Sequence, residues 1–133
     1  MALTANQELG RFVDQELRSY PVLAAAHIYK GAFVGRDSVT GMVRPLVAGD
    51  AFEGIAYEEI DNTAGQDGDL SVRVYTLGDF KVALSGAAAT DRGATVYASD
   101  DATATLTATA NSAIGRMLAL EGAGNIVLRL ATA

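Results

Sequence analysis

Hydrophobic residues fall along this chain in two regimes. Over residues 1–20 they recur three and four positions apart, and Leu9, Phe12, Val13, Leu17 and Tyr20 make one stripe of helical period. Thr4 followed by Gln7 has the spacing of a capping box, and Gly10 weakens the helix by about 1 kcal/mol relative to alanine. Pro21 stops the helix and disfavours a helical Tyr20. The pattern predicts a short N-terminal helix or arm over residues 1–20, joined at Ser19–Pro21 to a main domain over residues 21–133.

From Val22 onward the period shortens to two, and turn residues interrupt it often. His27 to Tyr29 and Ala32 to Arg36 flank Lys30-Gly31; Met42 to Val47 and Glu53 to Ile60 follow, separated by Ala48-Gly49-Asp50. Asp61 to Asp69 reads as a polar loop. Leu70, Val72 and Val74 then alternate with Ser71, Arg73 and Tyr75, and Phe80, Val82 and Leu84 alternate with Lys81 and Ala83. The intervening Leu77-Gly78-Asp79 predicts a hairpin with a type II′ turn, glycine supplying the positive φ. Thr95 to Ala98 and Thr103 to Ala108 read as strands around Ser99-Asp100-Asp101. Ile114 to Leu120 and Asn125 to Leu130 predict a last hairpin, with Ile126, Leu128 and Leu130 inward and Arg129 in water. Many short strands with close turns predict a mainly β fold, a small barrel or sandwich of antiparallel strands in a single domain.

Composition narrows the function classes. The chain has 133 residues, half of them hydrophobic, enough for one real core. Tryptophan and cysteine are absent, which excludes disulfides, thiolate metal sites and cysteine nucleophiles. The formal charge is −6 and no lysine or arginine run occurs, which argues against nucleic acid and against an anionic membrane surface as partners. No apolar run approaches the roughly 20 residues that span a bilayer, and the N-terminus lacks the basic and apolar regions of a signal peptide, so synthesis in the cytoplasm is expected.

Catalytic and ligand chemistry finds little support. His27, the sole histidine, sits in a predicted strand with no glycine-framed serine for it to activate. Glu58, Glu59, Asp61, Asp67 and Asp69 form the densest carboxylate stretch, but their spacing does not match a calcium loop and they read as a solvated loop. Gly122-Ala123-Gly124 precedes a strand rather than a helix, so it is not a phosphate cradle. The expectation is a protein without enzyme activity, cofactor, metal or small-molecule substrate. What remains is surface: Tyr29, Tyr57, Tyr75 and Tyr97 lie in or beside strands, where outward aromatics favour protein contact.

The order of several segments resembles the capsid decoration (cement) proteins of tailed bacteriophages. Those segments are Ile28-Tyr29-Lys30-Gly31-Ala32-Phe33-Val34, Gly41-Met42-Val43-Arg44-Pro45-Leu46 and Gly49-Asp50-Ala51-Phe52-Glu53-Gly54-Ile55-Ala56. Asp61-Asn62-Thr63-Ala64-Gly65, Gly68-Asp69-Leu70-Ser71-Val72-Arg73-Val74, Gly93-Ala94-Thr95-Val96-Tyr97-Ala98-Ser99-Asp100-Asp101 and Ile114-Gly115-Arg116 continue it, over roughly residues 20 to 130. The resemblance implies a β-rich homotrimer attached to the major capsid protein at threefold sites outside the head. It implies no enzyme activity and no cofactor. It matches residues 1–20 least, where Leu9, Phe12, Val13, Leu17 and Tyr20 stand as candidate capsid or subunit contacts. The competing expectations are another small virion protein of the tail or the head–tail junction, a β-barrel enzyme or sugar-binding module, and a general interaction domain.

Overall fold

The computed structural model describes residues 17–132, together with residue 5. Among these residues two five-stranded antiparallel sheets pack face to face. The first runs, in spatial order, β1 (Leu17–Pro21), β7 (Ser71–Tyr75), β5 (Ala51–Ala56), β3 (Phe33–Arg36) and β4 (Val43–Pro45). The second runs β10 (Ala104–Thr105), β9 (Thr95–Ala98), β11 (Ser112–Leu120), β12 (Asn125–Leu130) and β8 (Asp79–Ala83). A small pair, β2 (His27–Ile28) with β6 (Ile60–Asp61), forms a third layer. The second sheet keeps open edges at β8 and β10, and in the first sheet the outer strands are joined only by one bridge, Val22 just after β1 to Val43 of β4, so the molecule is a sandwich and not a closed barrel.

The alternation of the sequence becomes burial on two levels. Phe33, Phe52 and Ile55 of the first sheet meet Ile114, Met117, Ile126 and Leu128 of the second in the main core. The opposite face of the first sheet carries a smaller core, in which Val34, Val43, Val72 and Val74 pack against Val22 and Ile28. The first sheet is thus covered on both faces, which is why Phe33, Val34 and Gly35 are consecutive buried residues rather than an alternating series. In the C-terminal hairpin, Ile126, Leu128 and Leu130 are buried and Arg129 is exposed, as their spacing predicts.

Two expectations are corrected. Residues 17–20, the end of the predicted helical stripe, are extended, and β1 pairs with β7 through Leu17↔Tyr75 and Tyr20↔Val72. The edge of β7 offers this segment ladder bonds that no marginal helix supplies, and Pro21, lacking an N–H, ends an edge strand at little cost. The rest of the stripe, with Leu9, Phe12 and Val13, lies outside the described residues. The second correction concerns the hairpin read around Gly78. Gly78 does have positive φ, 124°, but β7 and β8 belong to different sheets. The chain crosses between sheets there, β8 pairs with β12 through Phe80↔Leu128, and the Gly78 carbonyl accepts from the Leu130 N–H at 3.0 Å. Alternation fixes which face of a strand is buried; it does not fix the strand's neighbour.

Buried polar groups pin the loops to this frame. The Asn62 side-chain amide donates to the carbonyls of Leu23 and Gln66, both at 3.0 Å, tying the 61–69 loop to the end of β1. Ser112 Oγ accepts from the Gly49 N–H at 3.0 Å and so links a turn of one sheet to β11 of the other. Arg44 clasps Asp50 with two hydrogen bonds of 2.8 and 3.0 Å, and Asp50 also accepts from the Val47 N–H, closing that turn.

Candidate interaction surface

The acidic stretch singled out in the sequence is used up in local structure. Glu58 accepts three bonds of 2.9 Å from Arg73, one from the backbone N–H and two from the guanidinium. Glu59 Oε2 lies 2.7 Å from Nε2 of His27. Asp61 accepts from the backbone and hydroxyl of Thr63, Asp67 from the Ala24 N–H, and Asp69 from the Gln66 N–H. Among the described residues no three metal-capable side chains come together.

Aromatic side chains make the more distinctive arrangement. Arg73 carries its guanidinium 4.8 Å over the Tyr57 ring, Tyr57 meets Tyr75 edge-on at 5.4 Å, and Tyr75 meets Phe80 at 5.3 Å. β5, β7 and β8 position these rings, so the string crosses from the first sheet to the edge of the second. On the other side, Tyr29 stacks on His27 at 4.2 Å and is 58 % exposed. Between Tyr29 and Phe80 lies a groove of about 510 Å³, walled by Tyr29–Phe33 on one side and Phe80–Ala83 on the other, with Ile55 between. Of the tyrosines read as outward contacts, Tyr29 and Tyr57 are exposed and Tyr75 and Tyr97 are half-buried. The arrangement offers apolar and aromatic surface beside an open sheet edge, which suits protein contact.

Of the predicted contact residues, Leu17 and Tyr20 are half-buried in β1; Tyr20 packs on the smaller core and Leu17 sits opposite Tyr75. Sequence reasoning missed the groove. One signal was there: the chain has two lysines, Lys30 and Lys81, and both line it.

The Glu58–Arg73 contact carries a pH signature. Hydrogen bonds from the Arg73 guanidinium and then from its backbone N–H hold the Glu58 carboxyl down at about 2, well below its ordinary 4.5. A carboxyl depressed on folding stabilises the fold fully above its unfolded pKa and loses that contribution as pH falls toward the folded value. The partly exposed pair is screened by water, so the expected contribution is about 1 kcal/mol. Glu58→Gln should therefore melt below the native chain at pH 7. The gap should narrow below about pH 4.5 and vanish near pH 2, as thermal melts across that range would show. A gap independent of pH would mean that the ion pair is not its source.

No family model matches the chain, and no curated protein matches it. Among solved structures the fold is similar to the head fiber gp8.5 N base in bacteriophage phi29, with a TM-score of 0.53 over 86% of this chain and 94% of that one, at 16% identity. At this identity the likeness is one of fold.

Proposed function

We propose that this chain is a structural protein of a tailed-phage head, a decoration (cement) protein. It binds the outside of the major capsid lattice as a homotrimer at threefold sites and stabilises the head. The observation that carries the reading is the agreement of two independent likenesses, the fold shared with the phi29 head fiber base and the segment order resembling decoration proteins. The surface supports it: exposed aromatics and open sheet edges suit protein partners. In this reading the chain has no catalytic activity, cofactor or small-molecule substrate, and binds neither nucleic acid nor membrane.

A ligand that binds only the assembled lattice shifts the lattice toward its assembled state by mass action. Each contact needs no more than about 800 Å² per partner, because three linked subunits hold through effective concentration. The phi29 neighbour favours a second reading, in which the chain forms the base of a head appendage. The test is sedimentation of emptied heads of the same phage with the purified protein, alongside measurement of its mass in solution. Saturable binding of three copies per threefold site, with a raised temperature of head disruption, is the expected result. Binding confined to a vertex or to the tail would replace decoration by an appendage or tail role, and no binding would end the head reading.

A further inference from the structure

Among the described residues β8 is an edge strand, paired with β12 on one side only. Its register defines what the other side offers. The Leu84 N–H donates to the Gly124 carbonyl and the Leu130 N–H to the Gly78 carbonyl, at 2.9 and 3.0 Å. Within this register Phe80 and Val82 exchange ladder bonds with Leu128 and Ile126, so Asp79, Lys81 and Ala83 turn their N–H and C=O groups outward. The groove described above runs along that free edge.

The charges on its walls are unusual for this molecule. In a chain of formal charge −6, both lysines stand here, one on each wall and both exposed. Neither makes an ion pair or side-chain hydrogen bond among the described residues; Arg18, Arg92 and Arg116 make none either, whereas Arg36, Arg44, Arg73 and Arg129 are each held by a carboxylate. Against the two lysines the groove sets one carboxylate, Asp101. Lysine's long, flexible stem lets its charge reach a carboxylate arriving from outside.

We propose that this groove receives an extended, acidic segment of a partner protein, which adds to β8 as a further strand. Main-chain bonds to Lys81 and Ala83 hold the segment, its apolar side chains rest on Phe80, Val82 and Ile55, and its carboxylates reach Lys30 and Lys81. The proposal rests on the head reading for the source of the partner, a protein of the head surface. Its chemistry rests on the free edge and the two lysines alone.

Two probes separate those supports. A short labelled peptide of alternating valine and glutamate should bind the full chain in fluorescence anisotropy, and bind less well as salt is raised. Its valine–lysine counterpart should bind at least about tenfold more weakly. Emptied heads test the same groove with its expected partner. Ala83→Pro removes an outward N–H and leaves the β12 ladder intact, while Lys30→Glu/Lys81→Glu reverses the charge. Each variant should keep the native melting temperature and lose at least about tenfold in binding to both probes. If the peptide binds as described and heads do not, the groove stands and the head reading falls. Equal binding of the two peptides, no binding of either, or variants that bind both probes as the native chain does would overturn the groove. The chain has no cysteine of its own. A disulfide formed between cysteines placed at Phe12 and Ala83 would also overturn the proposal. Formed within one chain, it would give the groove to the chain's own N-terminal residues; formed between chains, to a second copy.

Discussion

Replacing Gly115 by alanine is expected to destabilise the fold by about 3–4 kcal/mol. Gly115 sits in β11 at φ 154°, where the pairing with β9 slips between Ala113 and Gly115. A β-carbon there would overlap the carbonyl oxygen of Arg129 and press on Leu128, which is fully buried. Neither neighbour can yield, because Arg129 and Leu128 belong to β12, which is paired on both sides. The backbone of β11 has to move instead, and with it the register that buries Ile114 and Met117. Gly122, in the turn between β11 and β12, is the control. Its φ of 71° also disfavours alanine, but a β-carbon there meets nothing within 4 Å. Gly122→Ala should cost only about 1 kcal/mol. Urea unfolding of both variants gives the comparison; similar losses would mean that the bulge is not sterically locked.

Arg36→Met is expected to cost about 3 kcal/mol at pH 7. Glu53 projects from β5 into a site where its side chain is 5 % exposed, and its partner is the Arg36 guanidinium of β3 at 2.6 Å. Arg36 is itself 46 % exposed, so its removal lets water in on one side but strands a carboxylate that the fold has already desolvated. The asymmetry predicts that Arg36→Met/Glu53→Met recovers most of the loss, since two apolar residues leave no charge behind. A double-mutant cycle read from urea midpoints at constant m-value checks this. Additive losses would show that the pair is not coupled.

Most strands of this fold were legible because burial follows period. The C-terminal hairpin shows the best case: its inward residues, its outward arginine and its Gly-containing turn all sit close in sequence, and β11 and β12 pair as expected. β7 and β8 show the limit. Each strand is correctly patterned, but Gly78 turns the chain from one sheet into the other, and the deciding contacts are with β12, far along the chain. The Leu17–Tyr20 spacing favours a helix, and in β1 the two residues fall on opposite faces of the strand; pairing with β7 overrides the pattern. The candidate surface was half visible. Tyr29 and Tyr57 were marked as outward residues, but the groove arises where segments distant in sequence, those of Lys30 and Lys81, line one cavity. No local pattern encodes that meeting. Glu53 likewise reads as an ordinary outward acid in an alternating strand, and is buried because the first sheet is covered on both faces.

The two cores also differ in when they can form. Every residue of the smaller core, from Val22 to Val74, lies within the stretch that ends at β7. It can condense as soon as that stretch leaves the ribosome, and sheet order β1–β7–β5–β3–β4 needs nothing later. The second sheet has no such freedom. β12 inserts between β8 and β11, so β8 waits about forty residues for its partner. At synthesis rates of ~5–20 residues per second that wait is roughly 2–8 s, during which Phe80 and Val82 have no ladder to lie in. The nascent chain is therefore a half-finished molecule with a sound first layer and an uncovered inner face, and its greatest exposure to aggregation comes before its last strand is made.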